Sequence, residues 1–233
     1  MSVNYNPRVV TDGLVLCFDA GNAKSYPGSG STWTDLSGLG NNGTLVNSPT
    51  YSSGNKGSLV FNGTSSYVSV ANSSSVNPGT GSFSIVVWVN SDPSAGGDGW
   101  DLWVAKRANG SNGYYLGAAN GLGVRFMLGN DTSSRTDTGF ISYTNNTWAM
   151  FTAILDRTAN TQTVIRNDNA ESSSVTPSGG NYSNTGTLSI GADIGMGAFY
   201  VGGSISYVQL YSKALTTAEV SQNFNAIRGR YGI

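Results

Sequence analysis

The chain contains no histidine, and that one absence removes a large part of enzyme chemistry. Imidazole is the ordinary general base near neutral pH, a member of serine and cysteine triads, and the commonest zinc ligand. Cysteine is nearly absent too. Cys17 stands alone, so no internal disulfide forms, and its setting in "GLVLCF" marks it as a small buried hydrophobe, a poor nucleophile. Glutamate occurs only at Glu171 and Glu219. Charge of either sign is scarce, with 12 basic and 13 acidic residues in 233 and a net of −1. Binding nucleic acid or an anionic membrane needs clustered Lys and Arg, so neither is expected as a partner. No run approaches the roughly 20 apolar residues of a membrane helix. The opening "MSVNYNPRVV" lacks the apolar core of a secretory signal, which leads us to expect a protein made and kept in a cytosol, or released by a route such as cell lysis.

What the chain does have is turn chemistry and aromatic rings. Its 32 glycines are mixed with many Ser, Thr and Asn, while five Trp, 12 Tyr and eight Phe supply the apolar area an ordered core needs. Strand-like runs recur at short spacing: "GLVLCFD" (13–19), "GSLVFN" (57–62), "YVSV" (67–70), "SFSIVVWVN" (82–90), "DLWVAK" (101–106), "YYLGA" (114–118), "LGVRFML" (122–128), "WAMFTAILD" (148–156), "TQTVIRN" (161–167), "TLSIGA" (187–192) and "SISYVQLY" (204–211). Between them lie Gly, Asn, Ser and Pro clusters. This spacing predicts a β-sandwich or barrel rather than alternating βαβ units. The runs at 82–90 and 148–156 are apolar on both faces, as central strands are. Residues 20–56 and 91–100 read as long loops, and no break in composition divides residues 1–233, which read as one domain.

One helix is predicted, over 216–228. Thr216 and Glu219 form a capping box, Leu215 and Val220 a hydrophobic staple, and Val220, Phe224 and Ile227 one apolar stripe. Arg228 and Arg230 suit the C-terminal end of its dipole. The helix is expected to clasp the sandwich and anchor the C-terminus.

The stretches "GLVLCFDAGNAKSYPGSGSTWTDLSGLGNNGTL", "GSLVFNGTSSYVSV", "FSIVVWV", "WAMFTAILD" and "GSISYVQLYSKALTTAEVSQNFNAIRGRYGI" together resemble the laminin-G-like jelly roll of the concanavalin A-like superfamily, in the version found in virion proteins of tailed bacteriophages. The resemblance implies an all-β fold of two antiparallel sheets, six or seven strands each and one of them concave, with a short C-terminal α-helix. It also implies a virion surface protein made in the host cytoplasm: a capsid decoration, head fibre or tail-associated module. Its partners would be other virion proteins, and it would be a homo-oligomer in the particle. Residues 1–12, with Arg8, Val9 and Val10 as contacts, read as a docking arm or as an ordinary edge strand.

Members of the family often hold one calcium ion at the sandwich rim. Where acidic groups are common in that pattern this chain has Asn62, Ser65, Ser66 and Ser206, all neutral. Calcium needs six to eight oxygens, usually with carboxylates among them. Asp19 and Asp35 are the remaining candidate ligands, against the plainer roles of strand end and turn residue, and no cofactor is expected.

Two further function classes stay open. A lectin-like adhesin would bind host-surface polysaccharide by stacking sugars on exposed rings flanked by polar groups. Trp100 with Asp98 and Asp101, and Tyr26 with Trp33, are the candidates, each with packing or a solvated turn as the alternative. A glycoside hydrolase would need paired carboxylates. Neither glutamate lies in such a motif, since Glu171 sits in the polar "NDNAESSS" and Glu219 caps the helix, so no catalytic residue is assigned. "GADIGMGAF" (191–199) is glycine-rich but lacks the Lys-Ser/Thr ending of a phosphate-binding loop.

Overall fold

The computed structural model describes residues 8–109, 112–130 and 134–233. The strands in chain order are β1 (Leu14–Asp19), β2 (Thr32–Trp33), β3 (Gly43–Val46), β4 (Thr50–Ser52), β5 (Ser58–Asn62), β6 (Tyr67–Val70), β7 (Phe83–Ser91) and β8 (Trp100–Asn109). They continue with β9 (Asn112–Ala119), β10 (Gly123–Gly129), β11 (Arg135–Asp137), β12 (Ala149–Asp156), β13 (Thr161–Arg166), β14 (Glu171–Val175), β15 (Leu188–Ile190) and β16 (Gly202–Tyr211). Helix α1 (Thr217–Ile227) follows, and a short 3-10 turn over Arg228–Arg230 ends the regular structure.

Among the described residues all pairings are antiparallel, in two sheets of eight strands each, one or two more than the resemblance implied. The first sheet runs β14-β13-β12-β7-β16-β5-β4. Here β16 is long enough to take two partners on one side: β5 along 202–205 and β1 along 207–211. The second sheet runs β11-β10-β9-β8-β15-β6-β3-β2. Three of the extra strands, β2 to β4, lie inside the 20–56 stretch expected to be loop, and β14 begins at Glu171, which was expected in a loop.

The sheets bury their facing sides against each other. Phe18, Phe61, Ile85, Val87, Phe151 and Leu210 of the first sheet meet Trp33, Val68, Trp103, Leu116, Phe126 and Ile190 of the second in one continuous core. Each such side chain contributes roughly 1.5–3 kcal/mol of burial, enough together to offset the ordering of many short strands.

A second apolar layer explains why β7 and β12 are hydrophobic on both faces. Val86, Trp88, Met150 and Ile154 point away from the main core and are covered by Leu215, Val220, Phe224 and Ile227 from α1 and its approach. The helix starts as its capping chemistry dictates. Thr216 accepts from the Glu219 amide, and the Glu219 carboxylate accepts from the Thr216 amide at 2.9 Å. Trp88 stacks on Phe224 with ring centroids 5.6 Å apart and on Tyr231 at 4.5 Å.

The start of the described chain, at Arg8, Val9 and Val10, docks here as well. The Arg8 carbonyl accepts from Gln222 and the Val10 amide donates to Asn223, both on α1, while the Val10 carbonyl accepts from the Tyr211 hydroxyl. Val9 packs partly buried on the same layer. These contacts lie within the chain, because the backbone polar groups entering a buried layer need partners. The rest of the proposed arm, residues 1–7, lies outside the described residues.

Candidate functional site

A third apolar cluster sits on the outer face of the second sheet, away from the core. It joins Leu102, Ala105, Tyr115 and Met127 with the partly exposed Trp100 and Phe199. Its origin is a β-bulge. Leu102 pairs with Gly117 and Val104 with Leu116, so Trp103 is the extra residue. A strand normally alternates faces, and one extra residue shifts the phase. Trp103 and Val104 therefore both enter the core, while Trp100 and Leu102 before the bulge share the outer face with Ala105 after it. Regular alternation in β9 and β10 adds Tyr115, Arg125 and Met127, with Met127 paired to both Tyr115 and Asp137.

The cluster lines a cleft of about 250 Å³, walled by Trp100, Leu102, Tyr115, Met196 and Phe199 and by three arginines, Arg107, Arg125 and Arg135. The Arg125 guanidinium lies 4.5 Å from the Trp100 ring centre and 5.3 Å from that of Phe140. Its Nε donates to the Tyr115 hydroxyl oxygen at 2.9 Å, and Arg135 Nη2 donates to the same oxygen at 3.1 Å. Arg135 also forms a two-point pair with Asp137 at 2.8 and 2.9 Å. Burial raises the Tyr115 phenol above its ordinary range, so it keeps its proton at neutral pH. With two donors already on its oxygen, its O–H remains as a donor.

The glycine-rich loop 191–199 forms the other wall. The Asp193 amide donates to the Ala198 carbonyl at 3.0 Å, and Asp193 forms a buried ion pair with Arg107. Gly195 fits because a Cβ there would collide with the Arg107 carbonyl. Phe199 stands at φ +64°, a conformation that a bulky residue seldom adopts. The Asp98 carboxylate accepts from the Phe199 amide at 3.2 Å, and the Phe199 carbonyl accepts from Leu102. Backbone strain of this kind gathers where a side chain must be presented.

Of the residues singled out in the sequence, the structure brings Trp100 into this cleft, as the first residue of β8 rather than a loop residue, and puts Asp98 behind its Phe199 wall. Asp101 is corrected. It is fully buried on the opposite side of β8, with Gly202 donating to its Oδ1 at 3.2 Å and no partner on Oδ2 among the described residues. Burial pushes its carboxyl up to about 7, although the Ser91 hydroxyl and the Gly202 amide pull the other way. Tyr26 and Trp33 are corrected too. Trp33 has 0% exposure and stacks on Phe18 in the core at 4.8 Å, and the buried Tyr26 donates to the Gly30 carbonyl. Aromatic area of that size is worth most in the core, and the polar residues flanking these rings do not reveal it. Tyr115, Arg125, Arg135 and Phe199 were missed. The arginine inside the otherwise apolar "VRFML" was the available signal for an outer face with a task.

The residues present do not fit a calcium ion. Asp35 accepts from the Cys17, Ser37 and Asn41 amides and the Ser37 hydroxyl, at 2.7–3.0 Å. Asp19 accepts both ends of the Arg230 guanidinium at 2.6 and 2.8 Å. Asn62 caps its own turn, accepting from the Thr64, Ser65 and Ser66 amides. Among the described residues no three His, Cys, Asp or Glu side chains converge. Glu171 accepts from the Ser142 hydroxyl and amide, which hold it below its ordinary range. No described helix is long and apolar enough to cross a membrane.

The cleft thus lies on the outer sheet face of a jelly-roll sandwich. The family model described as the concanavalin A-like lectin/glucanases superfamily matches residues 62–221, and the chain belongs to that superfamily. Solved structures of the same fold include the binding domain of Paraclostridial Mosquitocidal Protein 1, with TM-score 0.71 and 17% identity over 93% of this chain. The botulinum neurotoxin serotype G binding domain gives TM-score 0.68 and 16% identity over 91% of this chain. This chain spans about half of those two, 52% and 50% of their length. Domain 4 of an extracellular arabinanase from Geobacillus stearothermophilus, solved in complex with arabinotriose, is matched over 98% of its length and 91% of this chain, with TM-score 0.66 and 14% identity. A search of curated protein sequences gives no significant match.

Proposed function

We propose that this chain is a non-catalytic carbohydrate-binding module and that the cleft between Trp100, Tyr115 and Phe199 is where it holds glycan. The observation that carries this reading is the presentation of Phe199. A phenylalanine is held at positive φ, with its amide tied to Asp98, at the wall of a cleft already lined by Trp100 and Tyr115. Rings presented beside fixed hydrogen-bond donors are what a sugar face and its hydroxyls require. The arabinanase domain, of the same fold and nearly the same extent, was solved with an arabinose oligomer, which supports a sugar ligand for this fold. A glycan array tests the reading directly. Trp100→Ala and Phe199→Ala should each remove the array signal, while Tyr51→Ala, on the exposed edge of β4, should leave it unchanged. Equal signals from all four proteins would overturn the assignment.

The setting we propose is the surface of a tailed-bacteriophage particle, with capsid or tail subunits as neighbours and host-surface polysaccharide as ligand. Its support is the sequence resemblance carried by "DLSG…NNGTL" and "YSKALTTAEV". Antibody labelling of purified particles tests it. Antigen found only in the soluble fraction of lysed cells would remove this setting and leave the glycan reading intact.

A further inference from the structure

The lining of the cleft also bears on the class of sugar. Three arginines and no carboxylate wall it, in a chain whose net charge is −1. Arg107 is neutralised by the buried Asp193. Among the described residues Arg125 and Arg135 share one countercharge, Asp137, which Arg135 takes at two points while Arg125 Nε stands 3.4 Å from Oδ1. Asp98, the other acid nearby, is turned to the Phe199 amide. The side chains of Arg125 and Arg135 are 19% and 36% exposed, so their remaining N–H groups reach solvent. Tyr115 adds an O–H, because its oxygen already accepts from both arginines.

Every free polar group named here is a donor, and two of them carry positive charge. A neutral sugar offers hydroxyls that both give and take hydrogen bonds, and would leave this surplus unmatched. One face of Trp100 is also covered by the Arg125 guanidinium, at 4.5 Å, so a sugar approaching from that side meets the cation before the ring. Guanidinium stacked on an aromatic ring keeps its in-plane N–H fork open to an anion. Resting on the glycan reading above, we infer that the cleft selects an anionic glycan, one whose sugar bears a carboxylate or a sulfate that docks between Arg125 and Arg135 while the ring lies against Phe199 and Met196.

The test is titration calorimetry of the full chain with three oligosaccharide probes of matched length: a galacturonate oligomer, a sulfated galactan oligomer and a neutral galactan oligomer. At least one charged probe should bind about tenfold or more tighter than the neutral one, with affinity falling as salt is raised. Comparison of the two charged probes identifies the anion. Arg125→Gln should abolish the preference for the charged probes over the neutral one. Asp137→Asn, which frees both arginines from their countercharge, should raise affinity for the charged probe several-fold. That gain cannot come from a variant that fails to fold. Equal binding of charged and neutral probes, still lost in Trp100→Ala, would overturn the charge inference while sparing the glycan site. Binding of no probe, together with an array signal insensitive to Trp100, would overturn both.

Discussion

The Tyr231 hydroxyl donates to the Ser206 hydroxyl oxygen at 2.7 Å, and the Ser206 hydroxyl in turn donates to the Gly57 carbonyl, also at 2.7 Å. Ser206 is the bulge residue of β16, at the point where that strand changes partner from β5 to β1. Its own carbonyl accepts from Ala20. The position that the family resemblance marked as a missing acid is therefore an anchor. It closes the gap between two end-to-end strands and fastens the C-terminal segment over Trp88. A short hydroxyl reaches both partners, accepting from Tyr231 and donating to Gly57.

Tyr231 joins this anchor to the outer apolar layer, since its ring stacks on Trp88 at 4.5 Å and on Trp148 at 4.6 Å. Tyr231→Phe removes only the hydrogen bond and should cost about 1 kcal/mol in urea unfolding. Tyr231→Ala removes the ring from between two tryptophans and should cost about 2–3 kcal/mol, somewhat under the loss of a fully buried ring. The same variant should alter native tryptophan fluorescence, whereas Tyr231→Phe should leave it nearly unchanged. Equal costs for the two would show that stacking contributes nothing.

The parts of this fold that were legible in the sequence are those where apolar periodicity meets clear punctuation. The two-faced pattern of Phe83–Ser91 identified a central strand, and its outward residues Val86 and Trp88 are the ones α1 covers. The capping box at Thr216 fixed the start of the helix to the residue. Strands β2, β3, β4, β11 and β14 were illegible because they are short and polar. "ESSSV" lies at a sheet edge, where only one neighbour and little burial constrain its composition. The cleft was illegible for a different reason. Trp100, Tyr115, Arg125, Arg135 and Phe199 span 100 positions and meet only through strand register and one bulge. A bulge inverts the face of every residue beyond it, and no local residue pattern in "WDLWVAK" announces it.

Arg107 and Asp193 hold the 193–199 wall onto β8 with their charges out of water. Breaking a buried ion pair from either side is costly. Asp193→Asn should cost about 3–5 kcal/mol, and Arg107→Met a similar amount, while the double variant should cost less than the sum of the two because the pair is lost only once. Denaturation of all four proteins gives the coupling. Additive losses would mean that the pair does not act as a unit. Because Met196 and Phe199 ride on this loop, each single variant should also weaken glycan binding more than Tyr51→Ala does.

Cys17 lies in β1 under the outer layer, its thiol donating to the Tyr207 hydroxyl at 3.5 Å. Burial pushes the thiol up to about 11, so almost none is thiolate at pH 8. A chromogenic disulfide reagent should therefore find no reactive thiol in the native protein over minutes and one equivalent in denaturant. Rapid native labelling would show that β1 opens locally with a small free energy.

Asp101 makes stability depend on pH in a direction opposite to that of a salt-bridged carboxylate. Its carboxyl sits at about 7 in the folded protein and near 3.9 in an unfolded chain, because folding buries it, with no partner on Oδ2 among the described residues. Between about pH 4 and pH 7 the folded protein keeps a proton that the unfolded chain has released. The unfolded state binds fewer protons in that window, so unfolding free energy falls as pH rises, by up to about 1.4 kcal/mol per pH unit from this group, and levels off above 7. Asp101→Asn keeps the shape and removes the titration. Urea unfolding of both proteins from pH 4.5 to 8.5 isolates the effect from all other groups. The difference between them should grow in favour of Asn through pH 7 and then stay constant, with the variant the more stable protein at pH 8. A difference that does not vary with pH would mean that Asp101 ionises in the folded state as freely as on the surface, and that water reaches the underside of β8.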